Sequence, residues 1–262
     1  MATLVSFHAH PDDECINCGG VMRKAADEGH RVVLVVATRG EVGEIVPGVL
    51  EPGEQLWERR VRETHTAAEI LGAARVEFLG YVDSGMMGEA TNSADNTFWT
   101  ADVEEAANRL AAILVQESAD VLTVYDDNGG YGHPDHIQVH RVGLRAAELA
   151  ATPRVYQATS NRDHLKAGFA AARAAGVEGL PADDFDDLDM GKPAAEITTA
   201  VDVSAYLPVK RAAMRAHASQ IAEDSFFLAL PDEAFAFAFG TEWFIRVGAA
   251  PGIAETDLLT GL

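Results

Sequence analysis

Two short segments hold most of the side chains able to do chemistry. His8-Ala9-His10-Pro11-Asp12-Asp13-Glu14 sets two imidazoles beside three consecutive carboxylates, and the run from Tyr125 to His136 (YDDNGGYGHPDH) adds two tyrosines, two histidines and three aspartates. Each contains His-Pro-Asp, in which proline fixes the turn and opens a helix. Gly129, Gly130 and Gly132 allow a tight backbone that presents their neighbours into a cleft. Two histidines and a carboxylate from two loops, with water in the fourth position, form a common catalytic zinc arrangement. The plain alternative is a set of helix N-caps and satisfied turn histidines, which suffices for one such cluster. It explains two at equivalent strand ends poorly.

Those clusters need strands behind them and helices in front. Leu4 to Ala9 and Arg31 to Ala37 are apolar runs suited to buried parallel strands, and the residues between them have helical spacing closed by Gly29. Gln55 to Leu71 reads as a helix ended by Gly72, Val76 to Tyr81 as a strand, and Asp102 to Gln116 as an amphipathic helix. Strand Val121 to Tyr125, helix Asp135 to Ala150 and strand Arg154 to Ala158 follow. The alternation predicts an α/β fold, a Rossmann-like, mostly parallel sheet with helices on both faces. Ligands of such sheets bind beyond the carboxyl ends of the strands, where both clusters fall.

Residues 1–160 read as this core and 161–262 as a smaller C-terminal α+β appendage that packs on it and helps shape the cleft. In the appendage Asp183 to Asp189 reads as a solvated acidic loop, Ile197 to Val203 as a strand and Val209 to Ile221 as a helix. The apolar, aromatic remainder through Arg246 suits packing on the main sheet.

Charge narrows the partners. Over 262 residues, 20 Lys+Arg stand against 41 Asp+Glu, a formal net charge of −21. That excess argues against nucleic acid and against an anionic membrane surface, and favours a neutral or cationic small-molecule substrate over a polyanion. No apolar stretch reaches the roughly 18 residues of a membrane span, and the N-terminus lacks the basic region of a signal peptide. Cys15 and Cys18 are too few and too close for a disulfide framework, so a cytoplasmic location is expected. As C-x-x-C they could form a redox pair, but two small, buried, reduced residues is the better reading.

HAHPDDE paired with GYGHPDHIQVH resembles the LmbE/PIG-L family of zinc-dependent de-N-acetylases and amidases. Thr38-Arg39-Gly40-Glu41, Arg60-Val61-Arg62-Glu63, Asp83-Ser84-Gly85-Met86 and His217-Ala218-Ser219-Gln220 resemble further family segments in the same order. The likeness is nearest to the mycothiol-pathway branch, which includes an N-acetylglucosaminyl-inositol deacetylase and a mycothiol S-conjugate amidase. It covers most of residues 3 to 160 and thins beyond.

The resemblance implies one Zn²⁺ per chain, with Fe²⁺ or another divalent ion compatible, held by His10, Asp13 and His136. Asp12 would be the general base. Adjacent side chains diverge, so one carboxylate binds the metal while the other reaches water whose pKa the metal lowers to about 7. His133 would serve as cationic partner or general acid for the departing amine, with Asp135 orienting it and raising its pKa. Tyr131 would donate to the oxyanion. Glu14 suits a supporting place near the helix N-terminus. Arg60 and Asp83 match substrate-binding positions, and His217 with Gln220, at i and i+3 of a helix, would close the cleft. His140, four residues after His136, offers another metal ligand; the resemblance favours Asp13.

The function implied is hydrolysis of an N-acyl group, N-acetyl in the first place, from an amino sugar or its conjugate. Amidase cleavage of a mycothiol S-conjugate is the alternative reaction. A non-catalytic sugar- or nucleotide-binding Rossmann-like protein is the alternative of another class, and it fits poorly. The first βα turn carries HPDDE where a dinucleotide fold carries a glycine-rich loop. A homo-oligomer is compatible with all three.

Overall fold

The computed structural model describes residues 1–174 and 190–262, so the acidic run from 183 to 189 lies outside the described residues. Strands β1 (Thr3–His8) and β2 (Arg31–Val36) are buried along almost their whole length because helices cover both faces of the sheet. Between them the chain forms two helices where the sequence suggests one: α1 (Asp13–Asn17) and α2 (Gly19–Asp27). The break at Cys18 frees the first N–H groups of α2. Gly20 and Val21 then donate to the Glu242 carboxylate at 2.7 and 2.8 Å.

Helix α3 (Leu56–Leu71) begins after Gln55, whose N–H is accepted by Glu58, and stops at left-handed Gly72. Strand β3 (Arg75–Phe78), helix α4 (Val103–Glu117), strand β4 (Val121–Tyr125), helix α5 (Pro134–Ala150) and strand β5 (Arg154–Thr159) complete the alternation. The described residues beyond 160 supply α6 (Arg162–Ala174), β6 (Thr199–Asp202), α7 (Leu207–Ala216), α8 (Asp232–Phe239) and β7 (Thr241–Arg246).

All strands join one sheet in the order β3-β2-β1-β4-β5-β7-β6. β1 to β5 run parallel, while β7 pairs antiparallel with both β5 and β6. Residues beyond 160 therefore extend the core sheet. Helices α4 and α5 pack together on β1 and β4, and α1, α2, α3 and α7 pack as a separate group. The strand order reverses between β1 and β4, which pair through Leu4↔Val121 to Ser6↔Thr123. A crevice opens at that reversal, beyond the carboxyl ends of these two neighbours. Both chemistry-bearing loops leave from there. Among the described residues no helix is long and apolar enough to cross a membrane.

Candidate active site

The loop after β1 and the first residue of α1 carry His10, Asp12 and Asp13 to the crevice, and the loop after β4 and the first turn of α5 carry Tyr131, His133 and His136. Asp13 bends back so that its Oδ2 accepts the His10 N–H at 2.8 Å. From there Oδ2 stands 3.4 Å from His10 Nδ1 and 3.3 Å from His136 Nε2. Ligand atoms of a tetrahedral zinc with bonds of about 2.0–2.1 Å lie roughly 3.3 Å apart. The donor set fits such an ion in chemistry as well as in spacing. His136 Nδ1 lies 3.1 Å from the Gly129 carbonyl, which makes it the N–H and leaves Nε2 a lone pair; Nε2 is buried and makes no hydrogen bond. His10 Nε2 faces Asp135 Oδ2 at 3.2 Å and Asp83 Oδ1 at 3.4 Å, so its lone pair is the Nδ1 aimed at Asp13. A carboxylate behind a ligating imidazole is the usual means of fixing the ring. His133 also reaches within 4.8 Å of the His10 and His136 ligand atoms.

Asp12 sits beside this triad with φ 98°, left-handed backbone that a non-glycine residue seldom adopts. Burial pushes its carboxyl up to about 6 against the pull of Arg60, a range suited to accepting and returning a proton near neutrality. Arg60 lines the cavity, but its guanidinium is turned to the chain. Nη1 donates to Gly40 O at 3.0 Å, and Nη2 to Pro11 O at 2.5 Å and Asp12 Oδ2 at 3.3 Å. Gly40 and Gly43 make room for it, since a Cβ would fall 2.1 Å and 2.5 Å from Arg60 Nη1 respectively. The cavity has a volume of about 320 Å³. His10, Asp12, Asp13, Arg60, Asp83, Tyr131 and His133 line it, with Val42 and Met86 among the apolar members.

Several residues differ from the sequence reading. Asp135 gives its carboxylate to His10 and to Ser84, from N at 2.9 Å and Oγ at 2.5 Å, and not to the His133 ring. The Asp135 backbone N–H donates to His133 Nδ1 at 3.1 Å, which places the ring proton on Nε2. Burial, with the nearby His10 and His136 rings, pushes His133 down to about 4, which disfavours the cationic partner that the sequence reading offered beside a general acid. His217 and Gln220 are not on a helix, because α7 ends at Ala216 and a turn follows. His217 is fully buried with Nε2 on Glu14 Oε1 at 2.5 Å, so it does not face the cavity. Gln220 stands over Gly43, at the back of the cavity wall. His140 points away, with Nδ1 3.0 Å from Tyr125 O. The C-x-x-C pair is reduced and buried: Cys15 Sγ donates to Asp12 O, and burial pushes the Cys18 thiol up to about 12.

Other supporting residues were given no role by the sequence reading. Tyr125 stacks on His136 at 4.5 Å and meets His8 Nδ1 through its hydroxyl at 2.9 Å; His8 Nε2 continues to Ser6 and thence to Thr123. Ser84 steadies Asp135, and Asp126 holds the glycine loop through the N–H groups of Asn128 and Gly130. A polar residue inside a buried strand was the available signal for Ser6 and Thr123. Ser84 lies in the Asp83-Ser84-Gly85-Met86 segment, whose resemblance gave it no role of its own.

Comparison with known proteins identifies the family and the fold. The family described as GlcNAc-PI de-N-acetylase, PIG-L, matches residues 5–147. The 1D-myo-inositol 2-acetamido-2-deoxy-alpha-D-glucopyranoside deacetylase of Geodermatophilus obscurus is 41% identical, covering 99% of this chain and 97% of its own. The N,N'-diacetylchitobiose deacetylase of Pyrococcus horikoshii superposes with a TM-score of 0.59 at 22% identity, over 94% of this chain and 83% of that one. A 4-carboxy-2-hydroxymuconate hydratase of Pseudomonas putida shares the fold at a TM-score of 0.57 and 18% identity, over 95% and 97%. The fold thus hosts more than one chemistry, and the residues at the strand ends decide which. On its sequence, over more than half its length, the chain belongs to the PIG-L family of GlcNAc-PI de-N-acetylases.

Proposed function

We propose that this chain is a cytoplasmic, metal-dependent hydrolase that removes the N-acetyl group of an N-acetylglucosaminyl-inositol. One observation carries the reading: the lone pairs of His10 Nδ1 and His136 Nε2 converge on Asp13 Oδ2 at ligand spacing, beside a strained, unligated Asp12. His10, Asp13 and His136 would hold one Zn²⁺, with Fe²⁺ the competing ion. A divalent ion there supplies Lewis acidity to an acyl oxygen and to water.

The chain's own groups do the rest. Asp12 takes a proton from the attacking water as the C–O bond forms, and returns it to the amide nitrogen as the C–N bond breaks. Neutral His133 donates its Nε2–H to the oxygen that becomes negative, and Tyr131 offers its hydroxyl to the same oxygen. Asp83 keeps one carboxylate oxygen for a sugar hydroxyl, its other accepting from Gly85 N at 2.9 Å. Arg60 braces Asp12 and contributes to the cavity wall.

The test is metal analysis together with amine release from N-acetylglucosaminyl-inositol and from a mycothiol S-conjugate. One zinc or iron per chain and turnover of the first substrate are expected. Exclusive turnover of the conjugate would move the assignment to the amidase reaction.

A further inference from the structure

Asp12 holds a left-handed backbone conformation that survives only where the surroundings over-determine it. Its neighbours account for every polar group of the peptide. Cys15 Sγ and the N–H groups of Cys15 and Ile16 meet Asp12 O, and Arg60 holds Pro11 O. The remaining group, the Asp12 N–H, donates to Glu14 Oε2 at 2.9 Å. The other oxygen of Glu14 is taken by His217 Nε2 at 2.5 Å. Glu14 and His217 are both fully buried and 203 residues apart.

A carboxylate in the first turn of a helix is favourable without help. It does not need a buried imidazole from the far end of the chain. Nor is the pair a good device for stability: His217 Nδ1 is left buried without a partner, and packed apolar residues commonly serve as well as a buried polar pair. What His217 does is fix the Glu14 carboxylate in the one orientation that receives the Asp12 N–H. Its own place is fixed in turn. Ser219, two residues on, gives its N–H and hydroxyl to Glu63 of α3 at 3.0 and 2.6 Å.

We infer that Glu14 and His217 form a buried clamp on the Asp12 backbone, through which the C-terminal segment positions the proton-accepting carboxylate. Both are positioning residues. The inference rests on Asp12 being the proton acceptor.

Kinetics of the zinc-loaded full chain test it with Glu14→Ala, His217→Ala, Glu14→Gln and Asp12→Asn. Misplacement of a catalytic group by about 1 Å costs on the order of 100-fold. Glu14→Ala and His217→Ala are therefore expected to lose about that factor in kcat, with KM and bound zinc per chain unchanged. Glu14→Gln is expected to recover most of kcat. Its amide oxygen still accepts the Asp12 N–H, and its NH₂ still donates to neutral His217. Added to Asp12→Asn, Glu14→Ala should cost nothing further. The clamp is overturned if both alanine variants keep wild-type kcat, if Glu14→Gln is as poor as Glu14→Ala, or if lost zinc accounts for the lost turnover. An active Asp12→Asn enzyme would instead overturn the role of Asp12 itself. An inactive Asp12→Asn beside active clamp variants would overturn the clamp alone.

Discussion

What stands behind each histidine decides which nitrogen it can offer to a metal. His136 is committed by the Gly129 carbonyl and His10 by Asp135, which Ser84 holds with two hydrogen bonds. Removing the Ser84 hydroxyl should therefore weaken zinc binding without touching a ligand. Ser84→Ala is expected to lower zinc affinity about 10- to 100-fold, measured by competition with a chelating dye. His140 has no such place, since its Nδ1 faces Tyr125 O away from the triad. His140→Ala should retain one zinc per chain by elemental analysis, whereas His136→Ala should retain almost none. Zinc lost from the His140 variant and kept by the His136 variant would reverse the ligand assignment.

Elements deliver these side chains, and their close approaches are specific. Gly129, at φ +63°, lies so near α5 that a Cβ would fall 2.5 Å from His136 Cβ and 2.7 Å from the Ile137 nitrogen. Gly132, at φ +90°, has open space where its Cβ would be. Gly132→Ala should cost roughly 1–2 kcal/mol for the left-handed conformation, while Gly129→Ala should cost more and also weaken zinc binding by moving His136. Urea unfolding with parallel zinc titration separates the two effects. Equal losses in both variants would contradict the packing argument.

Glu117 at the end of α4 joins three elements in the same manner. It accepts from Arg31 of β2 at 2.5 Å and Arg75 of β3 at 2.7 Å, and these hydrogen bonds, Arg31's foremost, hold its carboxyl near 2, below the ordinary 4.5. A depressed folded-state value stabilises above the unfolded value and is lost on acidification. The urea-midpoint difference between wild type and Glu117→Gln should be full above about pH 5. It should vanish as pH falls through 4.5 toward 2. A difference independent of pH would mean that the ion pairs contribute nothing.

The core elements were legible because apolar runs, caps and glycine stops agreed, as at β1, α3 and β4. The two motifs were legible for the same reason: both leave strand ends. The appendage was less so. Helix α6 buries no residue, and in α8 Phe235, Phe237 and Phe239 alternate with alanine at a spacing unlike a helix. The burial of His217 depended on a contact with Glu14 across 203 residues, which local spacing does not encode. The partner of Asp135 was hidden likewise, because Ser84 arrives from a loop after β3.

Across the whole molecule the net charge is −21, and part of the acidic excess lines the cavity. Asp12, Asp13, Glu44, Asp83 and Glu89 line the cavity with Arg60 as its one Lys or Arg. A neutral N-acetylglucosaminyl-inositol should enter more readily than an analogue carrying phosphate on the inositol. KM for the phosphorylated analogue is expected to exceed that of the neutral substrate at low ionic strength and to approach it as salt screens the field. Tighter use of the phosphorylated analogue at low salt would contradict this. The candidate site joins a His-Asp-His triad to a separate proton acceptor, so the most direct measurement takes them apart. Acetate release from N-acetylglucosaminyl-inositol should stop with chelator and return with added zinc, and Asp12→Asn should keep its zinc yet lose about 10²- to 10⁴-fold in kcat. Chelator-resistant turnover, or an Asp12→Asn enzyme as active as wild type, would contradict it.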